Sequence, residues 1–153
     1  MLTFSLAPSA MKMRVGLIDV DGHNFPNFAL LKIAAWLKHN GHHVEWADPM
    51  FGEYDRIYKS KIFTFTPDES HPWDCEVVKG GTGYDVHSVL PVEIEALNMV
   101  DYSIYPQYDF SIEFLSRGCI RHCPFCLVHD KEGGGKTSRS RQFKSAWQAY
   151  RGT

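Results

Sequence analysis

The apolar positions of this chain follow two alternating rhythms through its first half. MRVGLIDV (13–20) is a continuous apolar run of strand length, rich in branched side chains and followed by Asp21-Gly22, as expected of a strand buried on both faces. The spacing then changes. From Asn27 to Asn40, Leu30, Ile33, Ala34 and Leu37 recur at helical intervals, Lys38 and His39 suit the negative pole of the helix, and Gly41 is a natural stop. HHVEWAD (42–48) returns to strand character. Together these segments predict a βαβ unit, the building block of a doubly wound sheet.

A third strand is expected over DRIYKSKIFTFT (55–66), closed by Pro67, and a fourth over Glu76 to Lys79, stopping on Gly80-Gly81. A glycine pair at a strand's carboxyl end is either a tight turn or a place where backbone comes close to a ligand. The pattern weakens after Tyr84. A short helix is expected over Glu93 to Met99, then a connector, YSIYPQYDF, with the look of a boundary, then a strand over SIEFLS (111–116) that runs into the cysteine-rich stretch RGCIRHCPFC (117–126).

With 153 residues, 44% apolar and 22% charged, the chain has the make-up of one globular domain with a real core. A net charge of -2 gives no electrostatic invitation to nucleic acid or an anionic membrane, and no apolar run is long enough for a membrane span. The opening MLTFSLAPSA lacks a basic start, so no secretory signal is expected. Cys75 stands alone and three cysteines cluster, which suits a reducing cytoplasm better than a disulfide framework.

Cys119, Cys123 and Cys126 stand in a Cys-x-x-x-Cys-x-x-Cys arrangement, from which one loop can wrap its thiolates around a single metal centre. Zinc would need a fourth ligand from His122, His129 or Cys75 and would make a non-catalytic binding module. A 4Fe-4S cluster held by three thiolates leaves one iron open. DKEGGGKT (130–137) lacks the first glycine of a phosphate loop, and no strand is expected to lead into it.

The order of strand, Arg-Gly, then Cys-x-x-x-Cys-x-aromatic-Cys, with Phe125 before the last thiol, resembles the cluster loop of the radical S-adenosylmethionine superfamily. The resemblance implies that Cys119, Cys123 and Cys126 ligate a 4Fe-4S cluster, that Phe125 lies near S-adenosylmethionine, and that an electron donor drives its cleavage. It also implies that SIEFLS begins a β/α barrel.

The front of the chain is similar to the cobalamin-binding domain that many such enzymes carry. Asp21-Gly22-His23-Asn24-Phe25-Pro26, Ser60-Lys61-Ile62 and Gly80-Gly81 stand where that family places Asp-x-His-x-x-Gly, Ser-x-Leu and Gly-Gly. The implied cobalamin contacts are Asp21, His23, Ser60, Gly80 and Gly81. Pro26 and Ile62 depart from the pattern, and a proline ring at the glycine position obstructs close backbone approach to a corrin. The alternative is a domain that keeps the fold without the cofactor, in which His23 is an ordinary loop histidine.

The expected organisation is therefore α/β: an extension over 1–12, a Rossmann-like doubly wound unit over 13–104, the first strand and cluster loop of a truncated barrel over 105–132, and a basic tail over 133–153. Since only a short segment follows Cys126, the chain reads as the amino-terminal part of an enzyme, inactive alone, whose remaining barrel is missing or is a separate chain.

Overall fold

The computed structural model describes residues 11–112, 114, 116–121, 123–132 and 136–137. Four strands form one all-parallel sheet in the order β2-β1-β3-β4: β1 (Arg14–Asp19), β2 (His43–Trp46), β3 (Arg56–Ser60) and β4 (Glu76–Gly80). The chain is thus of the α/β class. One long helix, α1 (Phe28–His39), crosses from β1 to β2.

The boundaries of α1 have local causes. Asn27 caps the amino end, its Oδ1 accepting from the Leu30 amide at 3.4 Å, and Gly41 takes a φ of +82° just past the carboxyl end. Its apolar stripe meets one face of the sheet. Val15, Leu17, Leu30, Leu31, Ala34 and Leu37 are all within 1% of complete burial and form the centre of the core with Val44 and Tyr58.

Among the described residues the opposite face has no helix. The connections over 47–55 and 61–75 pack there as coil, with the Tyr54 ring lying over Gly16, where an added Cβ would sit 3.2 Å from it. Lys59 is only 4% exposed on this face and pairs with Asp68 at 2.6 Å and Glu69 at 3.4 Å. Although burial works against it, hydrogen bonds from Lys59 and Tyr84 hold the Asp68 carboxyl down at about 2. An alternating strand pattern does not reveal which layer covers each face, so this asymmetry was not legible beforehand.

Several expected elements are shorter. The third strand stops at Ser60 because Asp21 gathers the next segment into a turn, accepting from the amides of Ile62 and Phe63 and from Thr66 Oγ1. The helix expected over Glu93 to Met99 is α2 (Val92–Glu95), a single turn. A 3-10 turn, Tyr102–Ile104, follows.

The expected strand over SIEFLS is corrected. Among the described residues, 111, 112 and 114 are irregular, and β5 (Ser116–Arg117) is extended, pairing antiparallel with β6 (Lys136–Thr137). Between them lies α3 (Val128–Glu132). The expected extension over 1–12 and basic tail over 133–153 fall almost wholly outside the described residues. Among the described residues no helix is long and apolar enough to cross a membrane.

Candidate functional site

In a parallel sheet whose strand order reverses at β1, a crevice is expected outside the carboxyl ends of β1 and β3. The chain fills this place itself. Tyr105, in the connector after the 3-10 turn, is fully buried. Its hydroxyl donates to Asp19 Oδ2 at 2.7 Å and accepts from the Asn27 amide at 3.2 Å, and its ring meets Trp46 edge-on with centroids 5.0 Å apart. Trp46 Nε1 donates to the Ile104 carbonyl at 2.7 Å, so the connector is held from both sides. Burial pushes the Asp19 carboxyl above its ordinary range, opposed by the Tyr105 hydrogen bond.

The residues singled out for cobalamin divide into two groups. Asp21 is engaged with residues 62–66, as described, and His23 stacks on Trp46 with ring centroids 4.0 Å apart while its carbonyl accepts from Gln107 and Tyr108. Ser60, Gly80 and Gly81 instead line a cavity of about 700 Å³. Ser60 Oγ accepts from Asn27 Nδ2 at 2.9 Å. Gly81 has φ +100°, and a Cβ there would lie 2.2 Å from the Lys61 carbonyl oxygen, so its close approach is to the chain's own backbone. Pro26 is buried at the base of α1.

The cysteine segment borders the same cavity from the other side through Phe114, Arg117, Lys131 and Glu132. A chain of charges ties it to α1. Lys32, with 2% of its side chain exposed, donates to the Glu95 carbonyl at 2.7 Å and faces the Glu95 carboxylate at 3.5 Å. Glu95 pairs with Arg117 at 3.0 Å, and Arg117 reaches Glu132 at 3.7 Å and lies 4.6 Å over the Phe114 ring. Sequence reasoning missed this chain. Lys32 lies in the amphipathic helix among its apolar positions, and that interruption was the available signal.

Within the segment, Gly118 takes φ +75°, turning the chain immediately before Cys119. The Arg121 amide donates to Cys119 Sγ at 3.4 Å, and the Cys126 amide donates to the Cys123 carbonyl at 3.0 Å, closing a turn through Pro124 and Phe125. All three thiols are free and half-buried, and Phe125 is 87% exposed. Comparison with family models, curated proteins and solved structures finds no match for this chain.

The donor set has the chemistry of a thiolate metal site. Among the described residues, however, no three His, Cys, Asp or Glu side chains are gathered as a bound metal would hold them. Binding would have to draw the thiols together, and metal binding commonly supplies that ordering free energy. Of the expected fourth zinc ligands, His122 lies outside the described residues. Cys75 precedes β4 at the amino edge of the sheet, where burial pushes its thiol up.

The charge chain makes a stability prediction. Glu95→Ala leaves the buried Lys32 ammonium without a carboxylate, against the residue 95 carbonyl and the Phe28 ring; because Glu95 is itself 44% exposed, the expected loss is about 1 to 2 kcal/mol. Lys32→Met, which removes the buried charge and keeps the volume, should stay within about 1 kcal/mol of the parent. Urea unfolding of both variants checks this, and a larger loss for Lys32→Met would refute it.

Proposed function

We propose that Cys119, Cys123 and Cys126 bind a 4Fe-4S cluster, and that the chain contributes this loop to a radical S-adenosylmethionine enzyme. The observation that carries the reading is three free, partly exposed thiols on one tightly turned segment, in the Cys-x-x-x-Cys-x-aromatic-Cys order. The cluster would supply reductive cleavage of S-adenosylmethionine, with electrons from an external donor. The chain's own residues would hold and orient it. Gly118 reverses the backbone ahead of the first thiol, the turn from Cys123 to Cys126 keeps two thiols on one bend, and the Arg121 amide directs a donor at the first sulfur. Phe125, exposed inside that turn, offers an apolar surface to the bound cofactor.

In this reading the α/β unit is a Rossmann-like support for the loop. The engagement of Asp21, His23 and Gly81 with the chain itself favours a unit that works without cobalamin. A reducing, cytoplasmic setting matches the free thiols.

Anaerobic reconstitution with ferrous iron and sulfide should give a brown protein with about four irons per chain, matching the proposed cluster. Its Mössbauer spectrum should be that of a cubane cluster. Cys119→Ala, Cys123→Ala and Cys126→Ala should each lose the colour and Cys75→Ala should keep it. Stoichiometric zinc with no iron uptake would overturn the proposal in favour of a non-catalytic zinc module.

A further inference from the structure

The cavity beside the cysteine segment carries a second inference, independent of what the thiols bind. It lies over β3 and β4 beside α1, and its walls include Leu30, Ile33, Tyr58, Val78, Leu90 and Ile94. At about 700 Å³ it is in the range of small-molecule sites rather than of packing defects. It is an apolar-walled cleft that opens to solvent, so a small molecule can enter it.

The charges at its edge specify what that occupant is. Lys59 and Lys79 reach the lining only from strands whose ammonium groups pair with Asp68 on the opposite face of the sheet. On the cavity side the described lining carries two cations, Arg117 and Lys131, and two carboxylates, Glu95 and Glu132, with Lys32 buried behind Glu95. Glu95 is shared by Lys32 and Arg117, and Glu132 approaches Arg117. Both carboxylates are thus engaged elsewhere, and among the described residues no ion pair involves Lys131. Its ammonium meets the carbonyl oxygens of Val86 and Ser88 at 3.2 and 3.1 Å, spanning from α3 to the loop after β4. Among the described residues two of its three donors are used, and a third can serve a ligand.

We propose that this cavity binds an apolar monoanion, a carboxylic acid whose hydrocarbon body lies against the α1 and β4 side chains and whose carboxylate meets Lys131. An apolar body gains from leaving water, while the carboxylate exchanges hydration for a charge-assisted hydrogen bond. The span of Lys131 across the opening makes it both the recognition group and the strap that holds α3 over the ligand.

The test is calorimetric titration of the purified full chain with decanoate and with 2-naphthoate, each below its aggregation concentration, beside decanol and 2-naphthylmethanol. At least one carboxylate should bind in a saturable one-to-one manner, about tenfold or more tighter than its neutral counterpart, the size of one charge-assisted contact. Lys131→Met should erase that preference, so that the carboxylate and its neutral counterpart bind alike. Leu90→Trp, which fills the space, should abolish binding of both. The proposal is overturned if neither carboxylate binds, if neutral and charged forms bind alike, if Lys131→Met keeps the preference, or if Leu90→Trp binds as the parent does. Circular dichroism of each variant identifies any that fails to fold, and Lys131→Gln then replaces Lys131→Met, with the same expectations.

Discussion

Tyr105→Ala should destabilise the fold by about 3 to 5 kcal/mol, a substantial part of what holds a domain of this size together. The side chain is completely buried, it fills the place outside β1, and its hydroxyl donates to Asp19 Oδ2 and accepts from an amide at the start of α1. Tyr105→Phe separates the two contributions. It keeps the ring against Trp46 and removes the hydroxyl, for an expected loss of about 1 to 3 kcal/mol.

That smaller loss should depend on pH. Burial raises the Asp19 carboxyl, so the native state binds its proton more tightly than the unfolded chain. Its contribution is fully favourable below the unfolded value and is lost as pH rises through the raised folded value. The Tyr105 hydroxyl opposes the shift by hydrogen-bonding the carboxylate. Without it the carboxyl rises further, and the cost of Tyr105→Phe should be greater at pH 7 than at pH 4. Urea unfolding at both values measures this, and a cost that is flat with pH would count against a charged Asp19 as the partner.

Gly81→Ala is the second large effect expected, at about 2 to 5 kcal/mol from left-handed strain and overpacking together. Here φ is +100°, and the new Cβ would meet the Lys61 carbonyl oxygen at 2.2 Å. That carbonyl cannot swing aside. It accepts from the Gly83 amide at 2.9 Å, while the Lys61 amide donates to Gly80 at 3.0 Å. Gly41 is the control. Its φ is +82° but nothing lies within 4 Å of the added Cβ, so Gly41→Ala should cost only the backbone term, about 1 to 2 kcal/mol. Equal losses in thermal unfolding of the two variants would mean that the steric account of Gly81 is mistaken.

The elements easiest to read in the sequence were those whose period is set by one buried face. β1, α1 and β2 stand within a residue or two of the expected segments because Val15, Leu17, Leu30, Ile33 and Leu37 have only one way to be buried together. Long-range hydrogen bonds hid the rest. Residues 61–66 have strand composition, yet Asp21, some forty residues earlier, takes their amides. The connector over 102–110 read as a boundary because tyrosine and proline carry no period, while Tyr105 is the largest fully buried side chain among the described residues. For the candidate site, the cysteine spacing was legible. The cavity was not, because it depends on residues distant in sequence meeting across α1, β4 and α3. The glycine pair was legible as a close approach, though not that the approaching group is Lys61.

The coil that covers one face of the sheet gives the protein two different local stabilities. The α1 face is held by interlocking apolar side chains and opens only with the whole domain. The layer formed by residues 48–54 and 66–74 is held by contacts such as the Tyr54–Trp73 ring pair and the Asp68 to Lys59 ion pair, and is expected to open at lower free energy than the α1 face. Lys59 is then the reporter of that motion. Its amine is shielded while the layer is down and meets solvent during each excursion, so its rate of acylation follows the frequency of opening on one side of a sheet whose other side stays closed.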